Sequence, residues 1–183
     1  MKVEGSLEKY YQYSFPMQTV LVTCNDEQGK TNIITIAWHT PISVKPPLYG
    51  LSIAPGRYSH DLIKNSNELV VNFVNFDMVE KAHFCGKNSG RKINKAIETK
   101  ITLKPAKKVT VPIIQECYAH LECSKVKSYS IGDHTFFVGE VVAVYSTDNA
   151  FENNLLKTDN IHPLYYIGGN SYITLDSKTK RKF

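Results

Sequence analysis

The sequence predicts a mainly β fold with short inserted helices, folded as one small barrel of six or seven strands. Three observations carry that prediction. Apolar and polar residues alternate in short runs, as they do in half-buried strands. Clusters of Asn, Asp, Gly, Pro and Ser separate those runs. Helical signals are confined to brief stretches between them, the pattern of a barrel carrying helical excursions.

Taken in order, Val20, Val22 and Cys24 alternate with Leu21 and Thr23, and Asn25 to Lys30 supplies turn chemistry before the run Ile33 to Trp38. These two runs read as a hairpin. Pro41, Pro46 and Pro47 punctuate its exit, and Leu48 to Ala54 is the third strand, closed by Pro55-Gly56. Ser59 reads as a helix N-cap, with Asp61 in the first turn, Leu62-Ile63 as the buried pair and an end near Asn67. Glu68 to Val74 is the next strand, apolar on both sides except at Asn72. Asp77 and Glu80 have capping-box spacing, so Asp77 to Phe84 reads as a short helix. Gly86 to Lys95 is polar and basic, hence a loop. Cys117, Ala119, Leu121 and Cys123 alternate with Tyr118, His120 and Glu122 as a half-buried strand would. Ser130 to His134 turns the chain, and Thr135 to Tyr145 runs back. Beyond Tyr145, Phe151 to Leu156 reads as a helical turn, and Tyr165 to Tyr172 is rich in tyrosine and glycine.

Composition excludes several classes. The 183 residues are 42% hydrophobic and 21% charged, ordinary for a soluble globular chain and unlike a disordered one. With no internal repeat, linker or low-complexity run, residues 1–183 read as one domain. Lysine plus arginine (22) less aspartate plus glutamate (17) leaves +5. Part of that excess is a terminal cluster, Lys178, Lys180, Arg181 and Lys182, read as a solvated tail. No aromatic-plus-basic module supports nucleic-acid binding. No apolar run approaches the roughly 18 residues of a membrane span, and the amino terminus lacks a signal-peptide core. The four cysteines show neither metal-ligand nor redox-pair spacing, so reduced, spectator thiols in a cytoplasm are expected.

The usual nucleotide and hydrolase signatures are missing. There is no Gly-x-Gly-x-x-Gly, no phosphate loop and no Gly-x-Ser-x-Gly elbow. Gly86 to Lys92 has the ingredients of a phosphate loop in the wrong order. His83-Phe84-Cys85 lacks a second ligand pair, so no metal is expected. Three polar constellations remain. Asn32 to Ser43 surrounds the one tryptophan, and reads either as a wall for a flat ligand or as an ordinary hairpin strand. Ala54 to His60 delivers Arg57 to a helix start, and reads either as an anion site or as a capped helix with a solvated arginine. Ser89 to Lys92 and Gly132-Asp133-His134 are each weak alone.

In order and spacing, these pieces resemble the flavin reductase-like family, whose fold is the FMN-binding split barrel with Greek-key connections. The likeness rests on Phe15 to Thr23, Gly29 to Trp38, Pro46-Pro47, Ala54-Pro55-Gly56-Arg57-Tyr58-Ser59-His60, Val71-Asn72-Phe73, Cys85-Gly86 with Ser89-Gly90, and Gly132-Asp133-His134 with Val138 to Val141. It covers residues 15–145, the barrel core, and leaves 146–183 as a C-terminal extension, in which Tyr165 to Tyr172 resembles the family's closing tyrosine-glycine stretch and would either pack over the flavin or cover the partner subunit. The Phe-Pro-Met opening and the Ala-Pro-Gly-Arg-Tyr-Ser loop are most similar to the flavoredoxin-type branch.

The resemblance implies a homodimer with FMN held non-covalently near the subunit interface. Thr35, Ala37, Trp38 and Thr40 would line the ring and ribityl chain, with Ser52 and Ala54 on the neighbouring strand. Arg57, Tyr58 and Ser59 would form the phosphate end and ring wall, with Ser89, Gly90 and Lys92 helping from the later loop. Some members carry an acidic residue before the lysine of that loop; here Arg91 precedes Lys92. His134 matches a turn that lies near flavin and nicotinamide in the reductases. Three functions are compatible with this: an FMN-dependent oxidoreductase using NAD(P)H, an electron carrier fed by a redox partner protein, or a binding protein without turnover. The absent Rossmann motif counts against neither of the first two, because this fold takes the dinucleotide in a groove over the flavin.

Overall fold

The computed structural model describes residues 1–181; Lys182, the last basic residue of the tail, lies outside them. A 3-10 segment, Leu7–Ser14, precedes β1 (Met17–Gln18), β2 (Val20–Asn25), β3 (Thr31–Ile36), β4 (His39–Ser43), β5 (Leu48–Ile53), α1 (Tyr58–Asn65) and β6 (Glu68–Phe73). Next come α2 (Val79–Lys87), α3 (Lys95–Thr99), β7 (Leu103–Lys104), β8 (Ile113–Ile114), β9 (Ala119–Ile131) and β10 (His134–Ser146). The chain closes with β11 (Phe151–Glu152), β12 (Leu155–Leu156), β13 (Tyr165–Gly168) and β14 (Ser171–Ile173).

Seven strands form one antiparallel sheet in the order β3-β2-β6-β9-β10-β5-β4. β3 and β4 lie at opposite ends of that order, yet only Ala37 and Trp38 separate them in sequence. So short a link holds the two edges within about 10 Å, which curls the sheet into a barrel that stays split along this seam. The Ser52 amide donates to the Trp38 carbonyl at 2.9 Å, which extends the β4–β5 ladder into the link at the seam.

Alternation decides what fills the barrel. Val20, Val22 and Cys24 of β2 point inward with Ile34, Ile36, Leu51, Ile53, Leu69, Val71 and Phe137. Leu21 and Ile33 point outward, where Met78, Ala82 and Cys85 on and beside α2 cover them. Both faces of β2 are therefore buried, each large aliphatic contributing about 1.5–3 kcal/mol.

Several expectations are corrected. Pro41 does not end the sheet; it pairs with Tyr49 inside β4, an edge strand where a missing amide costs no ladder bond. Ser59 is not the N-cap of α1. Arg57 holds that position without a side-chain cap bond, and Ser59 is buried two residues further on, inside the first turn. Asp77 and Glu80 make no capping box, and Phe76–Met78 is a 3-10 turn leading into α2. Residues 86–95 are not all loop, because α2 runs to Lys87 and Lys95 opens α3. The outward face of β9 is not solvated either: Tyr118, His120 and Glu122 are buried at 3%, 5% and 0% exposure. Phe151 to Leu156 is a hairpin, with Asn153 and Asn154 both at positive φ (51° and 63°), as a two-residue primed turn requires.

Candidate functional site

Three adjoining cavities follow the open edge of β3, across the seam. The first, about 180 Å³, lies between the start of α1, the end of α2 and the 88–90 loop. Arg57, Tyr58 and Ser59 line it from one side, and Ser89 and Gly90 from the other. No side chain caps α1, and although the His60 amide is spent on the Arg57 carbonyl at 2.9 Å, the Tyr58 and Ser59 amides at the helix start are left available to an anion. Asn32 reaches across from β3 and donates to the Ser59 hydroxyl at 2.6 Å. A β-carbon at Gly90 would collide with the Asn32 side-chain amide, so glycine permits the loop to close on β3.

The electrostatics of this cavity are cationic. Arg57 is exposed and, among the described residues, pairs with no carboxylate. Lys87 is exposed on the wall. Lys95 is 5% exposed, and its ammonium donates to the Ile33 and Cys85 carbonyls, both at 2.7 Å. Two of its three donors are thus spent, and the third is left for the cavity that Lys95 lines. Burial pulls its pKa below the usual lysine range. The one nearby acid, Asp61, is held by Arg91. The thiols of Cys24 and Cys85 are pushed up to about 12 and about 11 by burial, so neither contributes a thiolate.

The Ile33 carbonyl, taken by Lys95, points away from β2. Strand period two then turns the Thr35 backbone toward the same open edge. The Thr35 hydroxyl itself is spent on the Ala82 carbonyl at 2.6 Å. This edge leads into the second cavity, about 350 Å³, which shares Thr35, Arg57, Gly86 and Lys87 with the first. Thr19, His83, Tyr166 and Tyr172 form its far wall beneath the β13–β14 hairpin. β13 also pairs with β1, which fixes that hairpin over the seam.

Ala37 joins the second cavity to the third, a cleft of about 600 Å³ walled by Tyr11, Trp38, Pro41, Tyr49 and Phe136, with Thr40 and Ser52 at its polar margin. Among the described residues, no Lys, Arg, Asp or Glu lines this cleft. His39 Nε2 bonds the Gln18 carbonyl at 2.9 Å, and a carbonyl only accepts, so Nε2 carries the proton. Its Nδ1 then accepts the Tyr49 hydroxyl at 2.6 Å. Burial keeps His39 neutral by lowering its pKa.

The structure thus gathers Arg57, Tyr58, Ser59, Ser89 and Gly90 around one cavity, Thr35 and Ala37 around the next, and Ala37, Trp38, Thr40 and Ser52 around the cleft. Ala54, Lys92 and His134 line none of the three. Ala54 accepts the Arg57 amide in the turn before α1, and the Lys92 amide donates to the Ser89 carbonyl. His134 packs on Trp38, ring centroids 4.9 Å apart, and bonds Asp133 at 2.6 Å. Sequence reasoning missed Lys95, Thr19 and His83 as site residues. Asn32 opened one of its polar constellations, and Tyr172 closed its tyrosine-glycine stretch.

The model of the flavin reductase like domain matches residues 12–174. An uncharacterized protein of Archaeoglobus fulgidus is 41% identical over 75% of this chain and 76% of its own length. Another, from Pyrococcus abyssi, is 33% identical over 93% and 97%. Among solved structures, flavoredoxin from Methanosarcina acetivorans superposes with a TM-score of 0.87 at 27% identity, covering 99% of this chain and 95% of that one. An FMN-binding protein from Thermus thermophilus with bound p-hydroxybenzaldehyde gives 0.83 at 28% identity, covering 100% and 98%. A seven-stranded split barrel, a family match across most of its length and relatives at 41% and 33% identity agree: this chain belongs to the flavin reductase-like domain family.

Proposed function

We propose that this chain binds FMN non-covalently and works as an oxidoreductase, taking electrons from NAD(P)H and passing them to free flavin or to an acceptor beyond it. The observation that carries this reading is a cationic cradle joined to an open strand edge and an aromatic cleft, in that order. FMN brings a doubly charged phosphate, a polyol chain and a flat tricyclic ring that can accept a hydride. Arg57, Lys95 and the uncapped start of α1 match the phosphate in charge and donors. The Thr35–Ala37 edge offers backbone groups to the chain and ring. Trp38 and its neighbours supply a flat apolar wall.

The residues act by position rather than by covalent chemistry. The uncharged, aromatic-walled cleft suits a flat aromatic ring, such as a nicotinamide, held against the flavin. The Trp38–His134 stack supports one side of that cleft, and His134 is exposed enough to orient a donor. A homodimer, with the seam of one subunit covered by the other, belongs to the same reading. The likeness to flavoredoxin favours a second reading, an electron carrier that keeps its FMN and exchanges electrons with a partner protein.

The test is a spectrum of the protein titrated with FMN, followed anaerobically after NADH and then NADPH. Bleaching at a catalytic rate supports the reductase. Bound flavin that neither nucleotide bleaches supports the carrier, and failure to take up FMN sinks both. Dilution to monomer should release the flavin if the dimer completes the site.

A further inference from the structure

Thr19 lies at the kink where β1 leaves for the C-terminal hairpin and β2 enters the main sheet. Its amide donates to the Leu164 carbonyl at 2.7 Å, and the residue is 1% exposed. Among the described residues its hydroxyl has no hydrogen-bond partner. A buried hydroxyl left unpaired is a cost that folded chains generally avoid. Thr19 borders the middle cavity, whose wall also carries His83, Asn170 and Tyr172. His83 Nδ1 and the Tyr172 hydroxyl share a 3.2 Å bond there, so this wall is organised as well as polar. Across Ala37 the opposite holds, because the cleft is aromatic and uncharged.

A flat molecule lying across Ala37 therefore meets a hydrogen-bonding pocket at one end and an apolar wall at the other. A flavin ring has that same division. Its pyrimidine edge carries one N–H donor and two carbonyl acceptors, while its other edge is a dimethylbenzene. We infer that the cavity beneath the β13–β14 hairpin receives the pyrimidine edge of the ring, and that the Thr19 hydroxyl is its buried hydrogen-bond partner. This rests on the FMN reading above and adds to it the direction in which the ring lies. Thr19 is a positioning residue: it fixes the ring and takes no part in electron transfer. The hydroxyl is unpaired in the protein alone because its partner belongs to the ligand.

Thr19→Val removes the hydroxyl and keeps the shape. Without ligand, this variant should melt a few degrees higher than the wild type, since an unpaired polar group is gone. Its dissociation constants for FMN and riboflavin should both rise about 10-fold, the worth of one hydrogen bond. Thr19→Ser, which keeps the hydroxyl, should bind both flavins like the wild type. Independently of any variant, 3-methylriboflavin should bind the wild type at least about 10-fold more weakly than riboflavin, because methylation blocks the N–H on the enclosed edge. Wild-type affinity of Thr19→Val for both flavins would overturn the inference, and so would equal binding of riboflavin and its 3-methyl derivative. Either result, with FMN still bound by the wild type, leaves the FMN reading intact. A wild type that takes up no flavin removes that reading instead. If Thr19→Val does not fold, the methylated ligand decides alone.

Discussion

The guanidinium of Arg91 bonds the carboxylate of Asp61 while lying 4.9 Å above the centre of the Tyr58 ring. Asp61 stands in the first turn of α1, where its charge would otherwise oppose any anion at that helix start. Arg91 is thus tied up shielding Asp61, which leaves Arg57, Lys87 and Lys95 as the cations lining the cavity. Both side chains of the pair are about half exposed (48% and 50%), so solvent holds its worth to at most ~1 kcal/mol. Arg91→Ala should raise the dissociation constant for FMN about 3- to 5-fold and leave riboflavin unaffected. Adding Asp61→Asn should restore the loss. Fluorescence titration of both flavins checks this, and a double variant no better than Arg91→Ala would refute the shielding role.

Arg57 and Lys95 should separate by pH. Arg57→Ala removes a charge-assisted contact and should weaken FMN by about 10- to 100-fold at every pH, with little change for riboflavin. Lys95, whose pKa burial lowers, loses its charge below the usual lysine range. Wild-type affinity for FMN should therefore fall as pH rises through that lowered value, and a Lys95→Arg variant should not show the fall. Stability moves the other way. The unfolded chain holds the Lys95 proton more tightly than the folded one, so this group favours folding increasingly as pH rises through that window. Parallel titrations of affinity and unfolding free energy from pH 7 to 10 test both signs.

What was legible in the sequence is what local pattern encodes. Alternation from Val20 to Trp38 gave the first hairpin, and the paired runs around Gly132 gave the second, because strand period and turn chemistry are properties of neighbours in sequence. The cluster Arg57-Tyr58-Ser59 was legible for the same reason. Burial imposed from far along the chain was not. His120 and Glu122 look solvent-facing until residues 107–109 and Asn72 fold over them. Lys95 reads as one more surface lysine, since nothing nearby in sequence reveals that the Ile33 carbonyl, 62 positions away, will accept a hydrogen bond from its ammonium. Pro41 argues against a strand everywhere except at an edge, and edges are set by the whole sheet.

His120 should make the fold acid-sensitive. Its Nδ1 meets the Asn72 side-chain Oδ1 at 2.9 Å, and burial lowers its pKa to about 4. The unfolded chain binds this proton from about pH 6.5 downward. Stability from His120 is therefore intact above that value and is lost as pH falls toward 4, by about 2–3 kcal/mol. Urea unfolding at intervals between pH 7 and 4 should show this slope, and His120→Gln should flatten it. An unchanged slope in the variant would place the acid sensitivity elsewhere.

Glu122 is the fully buried carboxylate that holds the chain between β7 and β8 against β9. Burial alone would raise its pKa, yet the amides of Lys107, Lys108 and Val109 donate to it at 2.7, 2.6 and 3.1 Å. Those bonds prevail and hold the carboxyl below its ordinary value. Glu122→Gln keeps the size but replaces one acceptor oxygen with a donor that must face a backbone amide. Leaving at least one buried amide unpaired should cost about 2–3 kcal/mol in urea unfolding. The loss should be local as well as global: hydrogen exchange at Lys107, Lys108 and Val109 should accelerate far more than exchange in β2 or β6. The cavities lie along β3, across the barrel seam, so FMN affinity measured well below the melting temperature should stay within about 2-fold of wild type. Loss of flavin without faster exchange in 107–109 would show that Glu122 supports the site and not the loop.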